Sequence, residues 1–464
     1  MTAQVVTRTN RRRGLVAAAA ALLLVVPAAC SEDSSSTGTS ATSTTTQTGS
    51  PNAGADAQID PGVADRLDEA IEKTMSMAAI PGAIVGVWGP DGNYMKAFGV
   101  ADKTTGAPME TDFYHRIGSV TKTFTVTGVL QLVDEDKVAL DDPISKYVEG
   151  VPLGDQITLR QLARMQSGLA NYSANEDFQK ALLSDPQAAF TPQQLLGYAF
   201  AQPATFPPGQ GFEYSNTNTT LLGLVIEKVS GLPLPEYVTQ KIVQPLKMAG
   251  TSFPTTNAFP EPHAQGYTEQ TLDDKEAVAT NWNPSWGMGG GRDDFDPRRP
   301  AHLAPALATG TLLQPATQAQ RLETVNAPGL ASDVGYGLGI FDVAGWIGHN
   351  GSLPGYQTVC VYLPEQETTL AIMINTDVPL SGQRTQHGAG GGRHGDHLAG
   401  TRLQAQRRSA ESGRVVPRPR RRLGDPGNVL DVRPADQLTP CEWQSVREHT
   451  SPLTCPPAAV ACRA

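Results

Sequence analysis

The stretch HRIGSVTKTFTVTGVLQLVDED, residues 115–136, places a serine and a lysine three positions apart at the start of a helix-like run. A helix that begins near Ser119 and continues to about Asp136 brings Lys122 onto the face of Ser119, one turn on. Backbone N–H groups at a helix start favour nearby negative charge. A serine in this position can act as a nucleophile if a close amine removes its proton or stabilises its alkoxide. A serine that caps the helix, followed by a solvated lysine, would produce the same sequence pattern. Because serine and lysine are common residues, a chain of this length should contain roughly one or two such Ser-x-x-Lys patterns by chance.

A second pattern lies in GFEYSNTN, residues 211–218, just ahead of an apolar helix-like run. Tyr214 can shuttle a proton if it lies near a lysine, and the amide of Asn216 can orient an amide of a substrate. A turn with a capping asparagine is the purely structural alternative.

A third pattern, His349-Asn350-Gly351, opens an extended run in GHNGSLPGYQT, residues 348–358. The glycine leaves room for a ligand beside the backbone, and a strand edge offers an N–H group to an oxyanion. A turn between two strands is the alternative here.

Taken in this order, SxxK, YxN and HxG resemble the motifs of the penicillin-recognising serine hydrolases, whose other members also open with SxxK. The resemblance is closest to the branch with class C β-lactamases, DD-carboxypeptidases of the Streptomyces type and related esterases. It covers roughly residues 62–380. It includes the sequences around the motifs, namely FYHRIGSVTKTFT, ITLRQLARMQSGLANY, FPPGQGFEYSNTN and GHNGSLPGYQT.

The resemblance implies a role for each matching position. Ser119 would attack a carbonyl and form an acyl-enzyme, while Lys122 and Tyr214 would handle its proton and that of the leaving group. Asn216 would hold the amide side chain of the substrate.

The same resemblance assigns the substrate-binding strand to His349, Asn350, Gly351 and Ser352, with the oxyanion held between the N–H groups of Ser119 and Ser352. His349 stands where many relatives have lysine, and histidine is mostly neutral at neutral pH. A substrate carboxylate would therefore be held less firmly. No metal or organic cofactor is implied.

The pattern of elements indicates an α+β domain over residues 61–383. Val63, Leu67, Ile71 and Met75 fit an amphipathic helix, and strands follow it and recur in YGLGI, GYQTVCVYLP and TTLAIMINTD. A mainly helical region separates the two sets of strands. We expect one antiparallel sheet flanked by helices plus a helical lobe, and the resemblance names this fold β-lactamase/transpeptidase-like.

The 60 residues ahead of this domain are interpreted as a targeting segment followed by a linker. Residues 1–30 combine a basic start, a short apolar run and VVPAAC, so we expect a signal peptide whose lipobox-like Cys30 is lipidated. Plain secretion is the alternative, and both place the protein outside the cytoplasmic membrane. Residues 31–60 are rich in Ser, Thr and Gly and predict a flexible linker.

Two stretches depart from the sequence pattern of the family that the chain resembles. One permitted back-translation of residues 293–303, read one base out of frame, gives family-like sequence. The first residues of the tail 384–464, treated in the same way, can give a sequence with helix periodicity and no glycine. The tail has thirteen arginines and no lysine, which is typical of GC-rich DNA read out of frame. We therefore predict two frameshifts and a disordered tail. A genuine disordered basic tail is the alternative.

Composition narrows the function further. The formal net charge of -10 argues against a nucleic-acid partner. The sequence therefore predicts a cell-envelope serine hydrolase, either D-alanyl-D-alanine carboxypeptidase-like or esterase-like, acting on a small peptide, an ester or a β-lactam. A class C-type β-lactamase and a non-catalytic cell-wall peptide-binding relative are the alternatives.

Overall fold

The computed structural model describes residues 57–254, 256–289, 294–328 and 334–378. The predictions for the signal peptide, Cys30, nearly all of the linker and the tail 384–464 lie outside the described residues. Among the described helices, none combines the length and the apolar character needed to cross a membrane.

An eight-stranded antiparallel sheet forms the centre of the domain, in the order β2-β1-β12-β11-β10-β9-β8-β7. Because β1 pairs with β12, the first and last strands of the domain are neighbours. This confirms the predicted sheet with strands from both ends of the domain. The strands are β1 (Gly82–Gly89), β2 (Gly92–Gly99), β3 (His115–Arg116), β4 (Tyr267–Thr268), β5 (Ala277–Val278), β6 (Asp294–Phe295), β7 (Val325–Asn326), β8 (Val334–Tyr336), β9 (Phe341–Val343), β10 (Trp346–Leu353), β11 (Tyr356–Leu363) and β12 (Thr368–Ile374).

Nine α-helices lie within the described residues, most of them between β3 and β4. They are α1 (Pro61–Ala78), α2 (Thr121–Asp134), α3 (Leu159–Ala163), α4 (Glu176–Ser184), α5 (Pro192–Phe200), α6 (Asn216–Ser230), α7 (Leu234–Val238), α8 (Pro300–Thr309) and α9 (Pro315–Leu322). The predicted α+β architecture is therefore confirmed. We use "helical lobe" for helices α2 to α7.

Helix α1 covers the outer face of the sheet. Asp60 caps its first turn by accepting a hydrogen bond from the N–H of Val63, and Pro61 follows at the first helical position, where a missing N–H costs nothing. The predicted i+4 stripe is confirmed as the buried face. It forms the outer cluster, whose buried members are Val63, Leu67, Ile71, Met75, Ala83, Val85, Val87, Tyr94, Phe98, Trp346, Val361, Leu370 and Ile372.

Helix α2 runs between the inner face of the sheet and the rest of the helical lobe. It contacts α6 on one side and β10 on the other, and its residues from Thr121 to Leu130 are all buried. A helix that is buried on every side over most of its length lies inside a domain. This position brings its first turn, with Lys122, against the sheet.

Residues 294–303 form a strand and the start of a helix, although their sequence departs from the pattern of the family. Strand β6 pairs with β3, directly ahead of the nucleophile segment, and Asp296 binds the guanidinium of Arg298. Helix α8 then begins at Pro300 and packs on β10, β11 and β12. The frameshift hypothesis for this segment stays a prediction.

One predicted strand is wrong in part. YGLGI was expected to be a strand, but only Tyr336 belongs to β8, and β9 begins after Ile340. The N–H groups of Leu338 and Gly339 donate instead to the carbonyls of Arg321 and Ala163. Gly339 has a φ of +68°, a left-handed conformation that glycine adopts without strain. The segment therefore turns toward the helical lobe.

Candidate active site

Ser119 lies in a single 3₁₀ turn, Gly118–Val120, that leads into α2. The turn needs a glycine at position 118, where φ is +53°, because residues with a side chain rarely adopt this backbone conformation. Ser119 itself is half-buried, so its hydroxyl is reachable, whereas the residues on both sides of it are buried.

Lys122 lies one turn further on and is fully buried. Its Nζ lies 3.0 Å from Oγ of Ser119 and 2.6 Å from Oδ1 of Asn216. Burial holds the pKa of Lys122 well below its usual range, since an ammonium loses hydration inside the protein. A neutral amine beside a serine hydroxyl can take its proton.

Tyr214 completes this group from the segment ahead of α6. Nζ of Lys122 lies 4.8 Å from the centroid of its ring. The hydroxyl is buried and makes no well-formed hydrogen bond to any described residue. Burial raises the pKa of Tyr214, while a contact with Ser119 acts in the opposite direction. The hydroxyl therefore stays protonated at neutral pH and can hand over a proton.

Asn216 is the first residue of α6 and is held on three sides. Its Oδ1 accepts from Lys122, its Nδ2 donates to Oγ of Ser173 at 3.0 Å, and its backbone N–H donates to Oδ1 of Asn171 at 3.1 Å. The structure thus brings together Ser119 and Lys122 with Tyr214 and Asn216, two pairs that are far apart in the sequence.

Strand β10 lies against the nucleophile turn, backbone to backbone. A Cβ placed on Gly351 would lie 1.8 Å from the carbonyl oxygen of Ile117 and 2.9 Å from the nitrogen of Ser119. A Cβ on Gly118 would lie 2.6 Å from the nitrogen of Ser352. The backbone nitrogens of Ser119 and Ser352 therefore both lie at the contact between the nucleophile turn and β10. That their N–H groups together hold an oxyanion stays a prediction.

His349 faces the inner side of β10 and is 1% exposed. Its Nδ1 donates to the carbonyl of Asn350, because a carbonyl can only accept, and its Nε2 lies 3.4 Å from the hydroxyl of Tyr336. Burial lowers the pKa of His349 to about 3. The imidazole is therefore neutral, and Nδ1–H is its donor.

The side chain of Asn350 does not join this group. The register pairs Asn350 with Val359, which packs against the outer cluster. Residues opposite each other on paired strands point to the same face, so the Asn350 side chain lies on the far side of the sheet from Ser119. Only its backbone contacts His349. Ser352 likewise reaches the site through its backbone N–H.

Comparison with known proteins assigns the family. A family model described as Beta-lactamase matches residues 67–389, a range that includes every residue of the site. The chain belongs to the beta-lactamase family. Proteins with a similar sequence include Protein flp of Staphylococcus aureus, strain N315, at 25% identity over 342 residues, or 69% of this chain and 65% of that protein. Penicillin-binding protein 4* of Bacillus subtilis, strain 168, is 26% identical over 64% of this chain and 68% of its own length.

Solved structures that resemble this chain include amidases. A D-stereospecific amidohydrolase from Streptomyces sp. aligns with a TM-score of 0.61 and 32% identity, covering 65% of this chain and 92% of that one. D-amino acid amidase from Ochrobactrum anthropi SV3, complexed with D-phenylalanine, aligns with a TM-score of 0.60 and 26% identity, covering 67% and 89%. The predicted β-lactamase/transpeptidase-like fold is confirmed.

Several site residues were not predicted from the sequence. Asn171 and Ser173 fix Asn216, and Tyr336 and Phe341 enclose His349, with 4.5 Å between the ring centroids of Phe341 and His349. Asn171 stands two residues ahead of Ser173, a spacing that is typical of a side-chain cap. No local pattern reveals that the cap meets a helix 45 residues later.

Proposed function

We propose that this member of the beta-lactamase family hydrolyses amides or esters through an acyl-enzyme on Ser119. The observation that carries the proposal is the buried amine of Lys122, 3.0 Å from Oγ of Ser119 and depressed in pKa by burial. Lysine is almost never fully buried unless it is paired, and a perturbed pKa beside a nucleophile supports a catalytic role.

The proposed reaction has two halves. Oγ of Ser119 attacks the substrate carbonyl while Lys122 takes the serine proton, and the carbonyl oxygen becomes an oxyanion between the N–H groups of Ser119 and Ser352. The bond to the leaving amine or alcohol breaks as Tyr214 supplies a proton, which Lys122 replaces. Water then attacks the acyl-enzyme by the reverse proton path, and Ser119 is released.

The neutral state of His349 supports a substrate without a free carboxylate at this position. A carboxylate that enters the site loses hydration, and an uncharged imidazole whose N–H is bound to a backbone carbonyl offers it neither charge nor donor. We therefore favour an amide or ester, in line with the two amidase structures to which the chain is similar. A D-alanyl-D-alanine carboxypeptidase-like activity is the second candidate, favoured by the penicillin-binding relative.

A matched substrate pair separates these candidates. Acetyl-D-alanyl-D-alanine and its C-terminal amide differ only in the carboxylate. We expect kcat/KM to be about tenfold higher for the amide, a difference of ~1.4 kcal/mol, because nothing at His349 offsets desolvation of the acid. Faster turnover of the free acid would contradict our preference and favour the carboxypeptidase.

The covalent step is tested by intact-mass detection of an adduct after reaction with p-nitrophenyl acetate or a fluorescent penicillin. We expect the adduct on Ser119 and none on a Ser119→Ala variant. Penicillin hydrolysis with rapid turnover would instead indicate the β-lactamase alternative. A folded protein that gives no adduct with either reagent would indicate the non-catalytic binder.

We also propose that the protein works in the cell envelope, attached to the membrane through lipidated Cys30. The proposal rests on the basic start, the apolar run and the small residues ahead of that cysteine. Mass spectrometry of the mature N-terminus tests it, and an unmodified start at Ser31 would exclude the lipid.

A further inference from the structure

A short chain of hydrogen bonds connects the site to a cap in the helical lobe. Asn171 precedes the 3₁₀ turn Tyr172–Ala174, and its Oδ1 accepts from the backbone N–H of Ser173 at 3.3 Å and of Asn216 at 3.1 Å. The hydroxyl of Ser173 lies 3.0 Å from the same oxygen. Ser173 is only 5% exposed, so its hydroxyl depends on these partners.

The direction of every bond in this chain follows from its two backbone donors. A backbone N–H can only donate, so the side-chain atom of Asn171 at this place must be its oxygen. The Ser173 hydroxyl next to it must then donate its single hydrogen there. Its lone pairs are left for Asn216, and they accept only from the amide nitrogen, 3.0 Å away. The amide oxygen of Asn216 must therefore face Lys122.

We propose that Ser173, oriented by Asn171, is a positioning residue that keeps the amide oxygen of Asn216 toward Lys122 and thereby leaves the lone pair of Lys122 available to Ser119. This inference rests on the proposed function. A neutral amine has two hydrogens and one lone pair. When an acceptor occupies one hydrogen, the lone pair can turn to the serine hydroxyl 3.0 Å away. A rotated amide would present N–H groups, which compete for that lone pair.

The groups around Lys122 determine how a change in the orientation of the Asn216 amide would alter the pH profile of the reaction. The titratable groups that face it from packed elements are Tyr214 ahead of α6 and His349 on β10, while Arg321 of α9 contacts α2 at Thr127. An amide oxygen also stabilises the ammonium form. If the Asn216 amide loses this orientation, the pKa of Lys122 should fall further. The reaction of Ser119 with neutral Lys122 as its base should also become slower.

The test uses a fluorophosphonate probe, which forms a bond from Oγ of Ser119 to phosphorus as fluoride leaves and the serine proton passes to Lys122. The labelling rate of the full chain is followed by intact mass from pH 5 to pH 10. We expect Ser173→Ala to lower the plateau rate about tenfold, or ~1.4 kcal/mol, and to move the acid limb to lower pH. Ser173→Thr, which keeps the hydroxyl, should restore both.

Ser230→Ala is the matched control, because it removes a serine hydrogen bond within α6 far from the site and should change neither quantity. An unchanged plateau in folded Ser173→Ala, or a lower plateau with an unmoved acid limb, would overturn the inference. If Ser173→Ala fails to fold, Ser173→Cys, a weaker donor and acceptor, should shift the profile in the same direction, and a wild-type profile would overturn the inference. Wild-type protein that is not labelled at Ser119 would instead refute the proposed function.

Discussion

Lys122→Met is expected to slow acylation of Ser119 by about 10³-fold, within the range found when a general base is removed. Methionine nearly matches the volume of the lysine stem but has no basic atom, so the serine proton has no acceptor at 3.0 Å. The rate of adduct formation by intact mass measures the loss, and the acid limb of the pH profile should disappear with it.

The effect of Lys122→Met on stability is expected to be small in comparison. Removal of the buried amine relieves the cost of holding Lys122 in its neutral form inside the protein, while Oδ1 of Asn216 loses its donor at a cost of ~1–3 kcal/mol. These terms oppose each other. Because the pKa of Lys122 is lowered in the folded state, the unfolded wild-type chain binds the extra proton below its usual pKa near 10.4. Wild-type stability should therefore rise with pH toward that value, relative to the variant.

Denaturant unfolding at pH 7 and pH 9.5 checks this sign, with the exposed Lys228→Met on α6 as the matched control. A Lys122→Met variant that is unfolded at pH 7 would contradict the small effect expected on stability. A folded Lys122→Met protein that acylates Ser119 within threefold of the wild-type rate would contradict the catalytic role.

Much of this site could be predicted because its candidate catalytic residues occur in short sequence motifs. Ser119 and Lys122 lie on one helical turn, so their proximity follows from local geometry alone. Their closeness to Tyr214 and Asn216 depends on the packing of α2 against α6, which no local spacing gives. Only the ordered resemblance of the three motifs led to that expectation.

The parts that could not be predicted depend on long-range contacts. The Asn350 side chain lies on the outer face because the register pairs it with Val359, and one residue of slip would have turned it inward. YGLGI has the apolar content of a strand, but the carbonyls of Arg321 and Ala163 bind its backbone N–H groups. Arg321 itself is fully buried, which its charge gave no reason to expect.

Gly351→Ala is expected to reduce acylation of Ser119 by about 10³-fold, the upper range for loss of an oxyanion donor. The added Cβ would lie 1.8 Å from the carbonyl oxygen of Ile117 and 2.9 Å from the nitrogen of Ser119. Both contacts are to backbone, so β10 and the nucleophile turn must move apart. The N–H of Ser352 then leaves the position from which it would stabilise the oxyanion together with that of Ser119.

Gly197→Ala separates this steric effect from the general cost of replacing a glycine. Gly197 lies within α5, where an added Cβ has nothing within 4 Å, so alanine should stabilise the helix by ~0.5–1 kcal/mol and leave acylation unchanged. The two variants add the same methyl group and should change activity very differently. If Gly351→Ala acylated Ser119 at the wild-type rate with an unchanged Tm, the two backbones would not be in contact, and the N–H groups of Ser119 and Ser352 could not act together on one oxyanion.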